Sequence, residues 1–85
     1  MDKKYAEIIV ERIDALRKKR GISINKLAEM GGLSQSTVDN IFHNRTLNPT
    51  LRTIHKIALA FGMILAEFLD FPELNNYSFE KDDED

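Results

Sequence analysis

No cysteine occurs among the 85 residues, which excludes disulfide staples, thiol nucleophiles and thiolate-ligated zinc together. Long apolar runs are missing too. The longest, Ile57 to Ala66, covers ten residues, against the roughly 17–25 that a membrane-spanning helix needs. Near the start only Ile8-Ile9-Val10 are consecutively apolar before Glu11, so no secretory h-region fits and a cytoplasmic protein is expected. There is no alternation of apolar and polar residues long enough for a strand, and no internal repeat. His43 and His55 stand twelve positions apart without cysteine or a paired carboxylate at ligand spacing, so no metal site is expected. Glu7, Glu11 and Asp14 share one side of a helix, and they read as a charged surface rather than an acid/base pair. No nucleophile, base and oxyanion donors are arranged together, so the chain is not expected to be an enzyme or to carry a cofactor.

What remains is ordinary globular material, 42% hydrophobic and 31% charged. A disordered chain would be poorer in Ile, Leu and Phe. At 85 residues there is room for one small domain, without a two-lobed cleft or a separate ligand-sensing unit. Such a core must be held by helix packing or helped by oligomerisation. The net charge of −2 is unevenly spread: residues 80–85 hold five acids and one lysine, whereas residues 1–79 hold 11 bases against nine acids. An acidic tail on a mildly basic body is thus expected, and the density of like charge predicts that this tail is disordered.

All the periodicity is helical. Tyr5, Ile9, Ile13 and Leu16 mark one face of a first helix, which Arg17-Lys18-Lys19-Arg20 and Gly21 close. Ser23 is a cap for a second, short helix burying Ile24, Leu27 and Ala28, broken by Gly31-Gly32, at least one of which should have positive φ. Ser34 caps a third helix, 35–42, with Val38, Ile41 and Phe42 inward, and Asn44 is a plausible left-handed stop. After a loop through Arg45 and Pro49, Thr50 or Asn48 caps a fourth helix with Leu51, Ile54, Ile57, Ala58 and Phe61 inward, ended by Gly62. A fifth, Ile64 to Leu69, stops before Pro72. The expected architecture is all-α: a compact five-helix domain over 1–71, followed by an extension over 72–85 that carries the acidic tail.

Two short helices joined by Gly31-Gly32-Leu33 have the form of a helix-turn-helix. With Val38, Ile41 and Phe42 buried, the outer face of the second presents Gln35, Ser36, Asp39, Asn40 and His43. Its start offers Ser34, Gln35, Ser36 and Thr37, side chains without bulk. That suits a helix laid in a major groove, where an amide can bond adenine N6 and N7 together and a hydroxyl can reach several base edges.

At this point a resemblance becomes specific. Arg12-Ile13, Leu16-Arg17, Arg20-Gly21, Leu27-Ala28-Glu29, Gly32-Leu33-Ser34, Ser36-Thr37-Val38, Ile41, Asn48-Pro49-Thr50-Leu51 and Ile57-Ala58, in that order and spacing, resemble the lambda-repressor-like, Xre-type helix-turn-helix family over roughly residues 6–70. The resemblance implies a five-helix DNA-binding domain that docks as a two-fold homodimer on a palindromic double-stranded operator. Its base-reading positions match Gln35, Ser36 and Asn40, and Asp39 shares that face. Its phosphate-contacting positions match Ser34, His43, Asn44, Arg45 and Thr50; Thr37, Lys26 and Arg52 are placed to join them. Four departures stand out. Ile24 replaces the usual Gln at the start of the second helix, and Phe42 replaces a Glu that pairs with the arginine matching Arg17. Asp39 puts a negative charge on the reading face, where it could accept from cytosine N4. Ile64 replaces the Ser or Thr cap of the fifth helix.

Several alternatives stay open at this level. Arg17-Lys18-Lys19-Arg20 is either a solvated, dipole-matched helix end or a phosphate contact. Ile64, Phe68, Phe71, Tyr77 and Phe79 exceed what the core obviously needs, so they either form a dimer interface or fold back on their own monomer. The leading expectation is a sequence-specific transcriptional repressor. The alternative is a protein-interaction module on the same fold, an antitoxin or accessory subunit, which Asp39, Ile24 and the acidic tail favour.

Overall fold

The computed structural model describes residues 5–43 and 49–81; the expected stop at Asn44, a cap at Asn48 and the tail from 82 onward lie outside them. Helix α1 is Tyr5–Arg20, α2 Ile24–Gly31, α3 Gln35–Phe42, α4 Leu51–Ala60 and α5 Leu65–Leu69. A further short helix, α6 (Pro72–Asn75), and a single 3-10 turn, Phe79–Lys81, complete the order. No strand occurs among the described residues.

Local chemistry sets the boundaries. Ser23, Ser34 and Thr50 each accept from the backbone N–H three residues on, at 3.0, 3.1 and 3.2 Å, which pairs one of the orphan donors at each helix start. Helix α2 ends as a Schellman motif: Gly32 takes φ +65, its N–H bonds Glu29 O, and Leu33 N–H bonds Ala28 O at 2.9 Å. At Gly31 a Cβ would lie 3.5 Å from Lys56 O, an ordinary contact distance, where α2 runs against α4. Ile64 has no acceptor with which to cap α5; instead the Glu67 carboxylate reaches back and accepts from Ile64 N–H at 3.1 Å, half of a capping box.

The core is wholly apolar, with Ile13, Leu27, Val38, Ile41, Ile57 and Phe68 essentially sealed from solvent. Arg12 ties α1 to α5: its Nε and Nη2 donate to Phe68 O and Glu67 O at 3.0 and 3.1 Å, while its guanidinium lies over the Phe71 ring. These carbonyls belong to the last turn of α5, where a cation opposes the helix dipole.

One expectation changes, and the C-terminal segment gains detail. Leu51 does not face inward but is 61% exposed, because as the first residue of α4 it projects past the layer that covers Ile54 and Ile57. Within segment 72–81, Pro72 sits at the first position of α6, where its missing N–H costs nothing, and α6 packs on α1. The aromatic surplus mostly folds back. Phe68 and Phe71 are buried, and Tyr77 meets Tyr5 edge-to-face and Phe79 meets it tilted, with ring centroids 5.1 and 5.4 Å apart. Ile64 and Phe79 themselves stay exposed.

Candidate nucleic-acid interface

The α2–turn–α3 unit is positioned by its buried side. Val38 and Ile41 of α3 pack inward with Leu27 and Ala28 of α2, so positions 35, 36, 39 and 40 are turned to the other side of a helix two turns long. Ser36 and Gln35 are exposed; Asp39 and Asn40 are half-buried. The four residues singled out as base readers therefore share one strip.

Two of them are joined. Gln35 Nε2 donates to Asp39 Oδ1 at 3.0 Å, an i,i+4 pair. The bond holds the amide and uses one of its two N–H donors, leaving the other donor and the carbonyl oxygen to a ligand. Asp39 is thus bonded to a neighbour on its own face. This link is absent from a residue-by-residue reading; the signal that could have found it is the spacing of four between an amide and a carboxylate.

The phosphate-facing candidates divide by environment. At the head of α3, Ser34 Oγ and Thr37 Oγ1 are 2.9 Å apart, so the two hydroxyls act as a unit. Thr50 is exposed at the head of α4, where its hydroxyl donates to Thr53 Oγ1 at 3.0 Å. His43 is exposed and closes α3. Lys26 is exposed and reaches Glu29 at 3.3 Å, and Arg52 is exposed on the first turn of α4. Asn44 and Arg45 lie outside the described residues. Surface ion pairs such as Lys26–Glu29 are weak, so Lys26 can exchange this partner for a phosphate at little cost.

The basic end of α1 is engaged within the protein. Arg17 makes a 2.6 Å bond to Asp14 and donates to Ile22 O at 3.2 Å. Lys18 pairs with the same carboxylate at 3.0 Å, and Arg20 lies over the Phe61 ring. The hydrogen bond from Arg17, then that from Lys18, holds the Asp14 carboxyl below its ordinary range. Arg17 has therefore found a partner on its own helix in place of the missing glutamate, and Phe42 packs against the core instead. Ile24, half-buried at the start of α2, offers no polar group. Among the described residues no group of three or more His, Asp or Glu could hold a metal ion, and no helix is long and apolar enough to cross a membrane.

Comparison with known proteins agrees with this geometry. Residues 13–70 match the profile of a family described as helix-turn-helix. The HTH-type transcriptional regulator PuuR of Escherichia coli is 30% identical over 63 residues, 74% of this chain and 34% of PuuR. The HTH-type transcriptional regulator SinR of Bacillus subtilis is 29% identical over 77 residues, 91% of this chain and 69% of SinR. The chain thus spans about a third of the length of PuuR and over two thirds of SinR. The crystal structure of the prophage Lp1 protein 11 superposes with a TM-score of 0.77 at 35% identity, covering 88% of this chain and 97% of that one.

Proposed function

This chain belongs to the helix-turn-helix family, and from that premise we propose that it is a DNA-binding transcription regulator, a repressor that reads the major groove with α3. The observation that carries the reading is the strip of Gln35, Ser36, Asp39 and Asn40, unburdened by bulk and held at a fixed angle by the buried side of a capped helix. Gln35, oriented by Asp39, and Asn40 suit bidentate recognition of adenine; Ser36 suits a less selective contact; Asp39 suits cytosine N4. Ser34, Thr37, Thr50, Lys26, Arg52 and His43, with Asn44 and Arg45 beyond the described residues, would position the helix on phosphates without reading sequence. A two-turn helix spans few base pairs, so a useful site needs two subunits, and a homodimer on a palindromic operator is part of the proposal. The transcriptional regulators to which this chain is similar in sequence support the functional class.

Selection of bound duplexes from a random pool tests it. A recovered motif with two-fold symmetry is expected, and Gln35→Ala or Asn40→Ala should each cost about 1–3 kcal/mol at one position per half-site. Failure to retain any duplex in dilute salt would refute the reading.

A protein-interaction module on the same fold, an antitoxin or accessory subunit, is the second reading, and Asp39 on the α3 face favours it. Deleting residues 80–85 separates the two: a DNA binder keeps or gains affinity as self-repulsion falls, whereas a partner that needs the tail is lost.

A further inference from the structure

A groove of about 320 Å³ opens between α1, α4, α5 and α6, walled by Tyr5, Ile9, Leu51, Ile54, Leu69 and Leu74. None of the α3 candidates lines it. Its apolar surface does not stop at the rim. Leu51 of its lining is 61% exposed, and Tyr5 meets the rings of Tyr77 and Phe79 edge-to-face and tilted, the last 59% exposed. Burying such a surface is favourable, and an apolar recess continuous with large exposed side chains is the form that marks a docking site.

Charge decides what would dock. Among the described residues, 67–80 carry four acids, Glu67, Asp70, Glu73 and Glu80, and no lysine or arginine. The α5–α6 side of the groove and the 3-10 turn are drawn from that acidic segment. Asp70, Glu73 and Glu80 are exposed and follow or precede Leu69, Leu74 and Phe79 directly in the chain. A second copy presenting the same face would set two acidic segments together, which costs affinity, and an acidic partner meets the same repulsion.

We infer that this groove is the docking surface for a cationic amphipathic segment of another protein, one or two large apolar side chains entering the groove and flanking lysines or arginines facing the acids of α5, α6 and the 3-10 turn. The volume lies at the low end of the range of ligand clefts, about 300–1,000 Å³, which suits one or two anchors rather than a long buried ridge. Helix-in-groove recognition of this kind places its anchors at i and i+3 or i+4. The inference goes beyond the DNA reading and stands or falls without it.

The test is selection of a random dodecapeptide display library against the whole 85-residue chain, followed by affinity measurement on the winning peptide made synthetically. Enriched peptides are expected to combine one or two Leu, Ile, Phe or Trp with flanking Lys or Arg. Affinity should fall at least tenfold on Leu51→Glu and severalfold on Phe79→Ala, with the helical circular dichroism of both variants unchanged, and it should vanish when the peptide's apolar anchors become alanine. Four results would each overturn the inference. They are no enrichment; acidic or anchor-free winners; equal binding of the alanine peptide, which means capture by charge alone; or a concentration-dependent dimer of the chain that Phe79→Ala dissolves, which gives the groove to a second copy. Duplex binding of the same variants, measured in parallel, reports on α3 separately.

Discussion

At the scale of single residues, Asp39 does two opposed things. Its charge repels phosphate, yet its Oδ1 holds the Gln35 amide. Asp39→Asn keeps an acceptor at that place and removes the charge, so non-specific duplex affinity should rise while discrimination at the base read by Gln35 is kept. Asp39→Ala should raise non-specific affinity similarly but lower that discrimination by about tenfold, the lower part of what a bidentate contact provides. Titrating both variants against operator and scrambled duplexes checks this; equal discrimination by the two would show that the bond does not orient Gln35. Asp14 offers a second residue-scale test. Its folded pKa lies below the ordinary 3.8 because Arg17 and Lys18 bond the carboxylate, so its contribution to stability is present above that value and fades as pH falls through the folded pKa. The melting temperature of Asp14→Asn should therefore lag the parent at pH 6 and converge with it as the pH falls below 3.8 and through the folded pKa.

At the scale of elements, the start of α3 combines a folding role with a proposed binding role, and one pair of substitutions separates them. Ser34→Ala removes the cap and should cost about 1 kcal/mol of stability, whereas Ser34→Gly should cost only a few tenths. Both lose the hydroxyl. If Ser34 touches phosphate, duplex affinity falls in both; if it only caps, the glycine variant binds like the parent, as denaturation and binding curves side by side would show. The same local chemistry explains what could be read from sequence. Ser23 and Ser34 as caps, Thr50 as one of two cap candidates, and a left-handed glycine at 31 or 32 depend on a few neighbouring residues and were legible. Leu51 was misplaced because periodicity gives a helix face but not how far the neighbouring layer extends. Helix α6 was missed because Pro72 ends one helix by the same geometry that lets it begin another. The α3 strip was visible as a polar face, but the Gln35–Asp39 bond required side-chain geometry, and the groove required α1 to meet the consecutive helices α4, α5 and α6 from the other end of the chain.

At the scale of the whole molecule, the charge distribution predicts how duplex binding responds to salt. Residues 1–66 carry the excess of bases and residues 67–85 the excess of acids, so the chain is polarised rather than uniformly acidic. Only part of the basic side is available to a ligand, since Arg17 is held by Asp14 and Ile22 O and Arg20 lies over Phe61. Few phosphates can then be neutralised per subunit. Because each neutralised phosphate contributes about −0.9 to the slope of log K against log salt, that slope should be well short of the value for ten contacts per subunit. The acidic segment adds a term of opposite sign and longer range. Removing residues 80–85 should raise affinity most in dilute salt, where the screening length is about 30 Å at 0.01 M. The advantage should nearly disappear at 0.15 M, where that length is about 8 Å. Parallel titrations of the full and shortened chains on one duplex measure both effects. An advantage that persists undiminished at 0.15 M would mean that the segment occupies the binding face directly instead of repelling the duplex from a distance.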